Sequence, residues 1–313
     1  MTQFLKRYGF TLSIVLAVII AMIWPQYFRS FGDYKLSNLI IPLLQVIMFG
    51  MGTEMSLNDF AGVIKTPKSV LIGVSAQFII MPLVGFAIAT GLGFEPEVAA
   101  GIILVGSVPC GVASNVISYL AKANVALSVT LTAVGTLLAP IITPLWMKVL
   151  AGQFIEVDVM AMVIDIIKIV IVPIAAGLVF NALLKGKLSW LDRAMPIVSM
   201  AGIALIIVVI TAAGRDNLMK IGMLLILAAF LHNTAGYFLG YWSGKLLGLK
   251  ERDCRTIAIE VGLQNAGLAS GLSNAMGKAS TIGLASAVFG PVMNTTGSIL
   301  ASYWHRKPIE ERK

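Results

Sequence analysis

IEVGLQNAGLASG, residues 259–271, places a carboxylate, Glu260, two amides, Gln264 and Asn265, and three glycines in a chain that is otherwise largely apolar. A carboxylate inside a bilayer costs about 2.5–3.5 kcal/mol by insertion scales unless a partner compensates it. Glycines beside it loosen a helix that lipid would otherwise enforce. The fold turns on whether this stretch lies in a membrane, and the rest of the chain decides that.

Of 313 residues, 58 % are hydrophobic and only 12 % charged, whereas soluble domains carry about 25 % charged residues. Mean hydropathy is +0.91. Apolar runs over 10–24, 70–80 and 203–213 are too frequent for one soluble core, so the chain reads as a polytopic membrane protein. The first apolar run follows Lys6 and Arg7 but lacks a small-residue cleavage site, and it reads as a retained helix rather than a signal peptide. The net charge of +8 needs no nucleic-acid partner, because membrane proteins concentrate Lys and Arg in cytoplasmic loops. Cys110 and Cys254 suggest no disulfide framework, and two histidines give no metal-ligand spacing.

Punctuation by Pro, Gly and charge yields ten candidate spans, near 9–31, 36–55, 68–91, 96–121, 124–149, 157–184, 194–213, 217–247, 251–276 and 280–304. With the amino terminus inside, 16 basic residues fall in inner loops and 6 in outer ones, and Lys168 lies within a span. That asymmetry predicts that both termini are cytoplasmic, and the expected location is the inner (plasma) membrane, as a multi-pass protein. No segment of the sequence specifies an oligomeric state; a monomer is compatible with it.

Five spans precede the connection near Ala151 and five follow it, giving halves 1–151 and 152–313 of opposite orientation. Sliding the chain by 156 residues lays 111–124 on 267–280 with five of fourteen positions identical, and lays Gln77 on Asn233. Inverted repeats of this kind recur in secondary transporters, whose sites lie near the midplane on discontinuous helices. Val108-Pro109-Cys110-Gly111 interrupts the fourth span, and Gly262 and Gly267 flank Gln264-Asn265 in the ninth. Backbone freed there must be buried or line a wet cavity, and its carbonyls are hard ligands suited to sodium. No Lys or Arg lies within a helical turn of Glu260. A monovalent cation would neutralise it, with oxygens from Gln264, Ser114, Asn115, Ser128 and Thr132. Ser128 and Thr132, four apart, share a helix face.

Each of these has a plainer reading. Mid-membrane Ser and Thr are commonly interhelical glue, and Glu260 has the alternative of a protonated, hydrogen-bonded acid. Asp165 and Lys168, three apart in the sixth span, read as a mutually neutralised pair. His232 reads as a packing residue, and Pro140 and Pro144 as kinks. GLSNAMGKAS (271–280) echoes a phosphate-binding loop, but its glycine spacing is wrong and Ala279 replaces the required hydroxyl residue. Without paired carboxylates or a nucleophile–base motif the chain is not read as an enzyme.

The elements Pro109–Asn115 and Glu260-Val261-Gly262-Leu263-Gln264-Asn265 together resemble the bile acid–sodium symporter family. The resemblance spans essentially the whole chain. It implies an all-α membrane protein of two inverted five-helix repeats, with discontinuous helices four and nine crossing in a core domain (about 68–150 and 217–304) beside a panel domain (about 9–55 and 157–213). It implies sodium-coupled symport of an organic anion, a bile acid or a smaller carboxylate, by alternating access, with two sodium ions as cargo and no cofactor. One ion would be held by Ser114, Asn115, Ser128, Thr132 and Glu260. The other would be held by Gln77, Glu260, Gln264 and carbonyls near Val261 and Leu263. The anion is assigned to Asn265, Val112, Asn294 and Thr295. Family members commonly read Pro-Gly-Gly-Thr-Ala-Ser-Asn in the fourth span, so Cys110 and Val112 are departures that bear on the substrate rather than on the ions. The alternative is a proton-coupled antiporter or exporter of related fold, with Glu260 as proton carrier.

Overall fold

The computed structural model describes residues 16–56, 59, 62–111, 113–184 and 189–307. A helix over 16–23 (α1) stops at Trp24, and Pro25, which lacks an amide hydrogen, follows it. The predicted first span ran on to residue 31. Instead Gln26–Arg29 forms a single turn, and Ser30–Phe31 pairs with Tyr34–Lys35 around Gly32, whose φ of 58° is left-handed. The start of that span lies outside the described residues.

The remaining helices of eight or more residues among the described residues are α2 (Ile40–Glu54), α3 (Pro67–Gly91), α4 (Pro96–Ser107), α5 (Ala113–Leu120), α6 (Val125–Leu150), α7 (Val159–Leu184), α8 (Ser189–Ala213), α9 (Arg215–Leu246), α10 (Glu251–Gly262), α11 (Ala266–Ala275) and α12 (Ile282–His305). Pro67 and Pro96 open α3 and α4, where their missing amides cost nothing. Among the described residues six stretches, those of α2, α3, α6, α7, α9 and α12, are long and apolar enough to cross a bilayer. The molecule is a helical, multi-pass membrane protein.

α2 packs on α7 and α8. Its contact with α7 is backbone on backbone. A Cβ at Gly177 would lie 2.9 Å from the Thr53 nitrogen and would overlap the Phe49 carbonyl, and one at Gly52 would overlap Ile174. Gly177→Ala is therefore expected to lower thermal stability in detergent by about 1–3 kcal/mol, the usual cost of overpacking. Gly222→Ala on α9 is the control, since nothing lies within 4 Å of its Cβ position.

A second group forms around α9, which packs on α3, α10 and α12, while α3 packs on α4 and α4 on α6 and α12. At one end of this group the Lys278 ammonium donates to Glu97, joining the α11–α12 connection to the start of α4. At the other end Asp253 accepts from Ser69 at 3.0 Å and from Asn124 at 2.8 Å. Beside it, buried Arg255 pairs with Glu251 at 3.0 Å and donates to the carbonyls of Ala121 (3.4 Å) and Trp304 (3.2 Å).

Two predictions from the sequence meet this geometry. His232 is fully buried, with Nε2 3.3 Å from the Met81 carbonyl and its ring edge-on to Phe289, so it packs as expected. The Asp165–Lys168 pair does not form: it is not among the ion pairs of the described residues. Lys168 is exposed, and a π-helical turn runs over Ile167–Ile171.

Candidate functional site

Two pieces of chain leave helical geometry inside the second group and meet there. α4 ends at Ser107 and Val108 is extended; α10 ends at Gly262 and Leu263 is extended, with φ −105° and ψ 103°. Cys110 and Gln264 pair as an isolated antiparallel bridge, and the Asn265 amide donates to the Pro109 carbonyl at 2.9 Å. Asn265 then caps α11, its Oδ1 accepting from the Leu268 amide at 2.9 Å.

Glu260 sits two residues before the end of α10 and is 2 % exposed. Ser114 Oγ donates to its Oε1 at 2.6 Å, Ser128 Oγ donates to the same oxygen, and Thr132 Oγ1 donates to Oε2 at 3.0 Å. Ser128 Oγ also lies 2.9 Å from Asn115 Oδ1, and Ser114 Oγ 3.0 Å from the Gly111 carbonyl. α5 supplies Ser114 and Asn115, and one face of α6 supplies Ser128 and Thr132, so three elements converge on one carboxylate. Arg255, on the same helix, is committed to Glu251.

The proton count matters here. Ser114, Asn115, Ser128, Thr132 and Glu260 bring six side-chain oxygens together, and with Glu260 ionised only three hydroxyl hydrogens are available among them. Ser128 has one hydrogen and two acceptors, Asn115 Oδ1 and Glu260 Oε1. With Glu260 ionised, oxygens outnumber hydroxyl hydrogens in the cluster and it carries a formal negative charge. Hard oxygens of this kind suit a hard cation. Among the described residues no group of three or more His, Cys, Asp or Glu side chains is placed to hold a metal ion.

A second cluster adjoins the first. Gln77 Nε2 donates to the Val108 carbonyl at 3.2 Å and to Gln264 Oε1 at 2.7 Å, and Gln264 Nε2 donates to the Val261 carbonyl at 2.6 Å. Gln77 and Glu260 both line one small cavity, together with Gly73, Phe78, Cys110 and Gly135. Cys110 was not predicted as a lining residue; its place between Pro109 and Gly111 in the interruption was the available signal. Asn233 was noted only as the counterpart of Gln77. It donates to the Gly262 carbonyl at 2.5 Å, so each interruption has an amide side chain on a freed carbonyl.

The residues assigned to the anion are less gathered. Asn265 lies at the crossing and is 9 % exposed. Asn294 is half-buried on α12, while Thr295 is exposed and gives its hydroxyl to the Pro291 carbonyl of its own helix at 2.8 Å. Val112 lies outside the described residues.

Residues 41–221 match the model of the sodium bile acid symporter family. The chain is 39 % identical over 298 residues to an uncharacterised sodium-dependent transporter, YocS, of Bacillus subtilis, covering 95 % of this chain and 91 % of the relative. It is 32 % identical to a probable chloroplastic sodium/metabolite cotransporter, BASS1, of Arabidopsis thaliana, over 95 % of this chain and 73 % of that protein. It is likewise 32 % identical to the ileal sodium/bile acid cotransporter of Oryctolagus cuniculus, over 78 % of this chain and 71 % of the relative.

Proposed function

This chain belongs to the sodium bile acid symporter family, whose members are sodium-coupled transporters rather than enzymes, and on that premise we propose that it carries an organic anion inward with sodium by alternating access. The observation that carries the reading is the surplus of oxygens over protons around Glu260. A sodium ion there takes lone pairs from Ser114, Asn115, Ser128, Thr132 and Glu260 and supplies the positive charge that the cluster lacks. A second ion takes oxygens of Gln77, Glu260 and Gln264 and the carbonyls of Val261 and Leu263, displacing the Gln77–Gln264 hydrogen bond.

The architecture proposed is ten spans in two inverted repeats, 1–151 and 152–313. Helix ends support it: those at Gly91, Ser107 and Leu120 recur 155 residues later at Leu246, Gly262 and Ala275. Left-handed residues Gly93 and Lys122 likewise recur as Gly248 and Gly277. The interval is one residue shorter than the slide read from the sequence. Spans three to five and eight to ten form a core that rocks against a panel of spans one, two, six and seven. α5 and α11 begin at the crossing, and their amino termini favour an anion there, beside Asn265 and Val112 with Asn294 and Thr295 nearby. Both termini are cytoplasmic, in the plasma membrane.

If two sodium ions accompany one monoanion, one net positive charge enters per cycle, worth about 2.3 kcal/mol per 100 mV of inside-negative potential. Vesicles containing the purified protein, offered a bile acid or a small monocarboxylate, are expected to accumulate it under an inward sodium gradient but not a potassium gradient, and faster when the interior is negative. Accumulation driven equally by a proton gradient without sodium would replace this reading with proton coupling through Glu260.

A further inference from the structure

The two half-helices that leave the crossing have opposite surroundings. α11, which runs toward the Lys278–Glu97 end, packs on α12 and α4 and is covered on its other side by α2, α7 and α8. Leu44 of α2 is fully buried against it. A Cβ at Gly267 would lie 3.5 Å from one Leu44 methyl, and a Cβ at Gly271 would overlap the other and stand 3.9 Å from Ile169 of α7. Leu44 therefore sits in a notch that exists because position 271 lacks a side chain, while at Gly267 a Cβ would make only an ordinary contact. α5, running toward the Arg255 end, packs on α6, α10 and α12, and presents Val116 at 58 % exposure and Tyr119 at 72 % on successive turns.

From this asymmetry we infer that the Leu44 notch in α11 is the gate that closes one side of the transporter, and that the Val116–Tyr119 face of α5 is the surface that closes the other side in the opposite state. The inference rests on the transport reading above. α5 and α11 hold corresponding positions in the two halves, and in this structure one is covered while the other is not. Rocking exchanges them: Leu44 leaves its notch, the α11 side opens, and the exposed α5 face is covered. The contact is apolar and short, so it releases without breaking an ion pair.

The test uses full-length protein in sodium buffer with Tyr119→Cys as reporter and a water-soluble maleimide as probe. Native Cys110 and Cys254 are buried, and protein without the reporter gives the background. Gly271→Leu, which fills the notch, and Leu44→Ala, which empties it, each disfavour the closed gate. Each is expected to shift the equilibrium about tenfold toward the state that covers α5, the effect of one spoiled packing contact, and to slow reporter labelling in proportion to the protein that leaves the exposed state. The double variant Leu44→Ala/Gly271→Leu restores the volume and is expected to recover most of the rate. Misfolding would accelerate labelling instead, and would expose Cys254 as well. Equal rates in all four proteins, or a double variant slower than either single, would overturn the gate. Sodium-selective thermal stabilisation is measured on the same samples. Its presence with unchanged labelling sinks the gate alone, and its absence from the reporter protein sinks the sodium reading and leaves the labelling result to stand for itself.

Discussion

Glu260→Ala is expected to abolish the difference between sodium and potassium in thermal stability of the purified protein. A ligand that binds only the folded state stabilises it by about 2.7 kcal/mol at a hundredfold excess over Kd, and in the wild type sodium should do so while potassium at equal ionic strength does not. Removing the carboxylate takes two of the six oxygens and the only formal charge from the cluster. Glu260→Gln should also lose the sodium response, yet it keeps an acceptor for Ser114 and Ser128. It separates loss of the charge from loss of packing. Ser128→Ala, which removes one oxygen, should weaken sodium affinity while leaving the response measurable. A wild-type protein that does not distinguish the two ions would make Glu260 a structural acid or a proton site.

The second large effect lies at the other end of α10. Arg255→Ala is expected to lower unfolding stability in detergent by about 3–5 kcal/mol, the cost of breaking a buried charge pair by removing one partner. The Arg255 side chain is 3 % exposed, and its guanidinium lies 5.7 Å from the centre of the Trp304 ring. It serves Glu251 and the last carbonyls of two helices, at Ala121 and Trp304, where helix dipoles favour a cation. Glu251 keeps Lys245 and Tyr241 as partners after the substitution, which sets the effect toward the lower figure. Arg255→Lys should recover only part of it, because one ammonium cannot serve both the Glu251 carboxylate held by Nε and the two carbonyls held by Nη1. Chemical denaturation in a mild detergent checks both variants. A loss below about 1 kcal/mol, typical of exposed pairs, would mean the cluster adds little. The sodium response should persist in both, since Glu260 and its hydroxyl partners are untouched.

The legible parts of the sequence were those with a local physical signature. Pro67, Pro96 and the left-handed Gly93 and Gly248 punctuate the helices within a residue or two of the predicted boundaries. Ser128 and Thr132 could be placed on one face by spacing alone, and their meeting with Ser114 and Asn115 followed from an uncompensated acid needing oxygens. What failed, or was missed, depends on geometry that no spacing encodes. Asp165 and Lys168 stand three apart in one span, so the pair looked sound, yet that spacing does not fix where two flexible side chains end. Arg255 read as one more basic loop residue because the carbonyls it serves come from residues 121 and 304, far along the chain. The notch for Leu44 has the same character: Gly271 is visible as a glycine, and what fills the gap is not.

The amides of Gln77 and Asn233, each seated on a carbonyl at an interruption, have a practical consequence. In a bilayer those carbonyls have no water to turn to, and in a micelle lipid identity, thickness and lateral pressure all change. Because their partners are carried on neighbouring helices of the same chain, the crossing takes its solvation with it on extraction. Purified protein therefore keeps the crossing it had in the membrane, and ion titrations in detergent interrogate the same object that works in the cell.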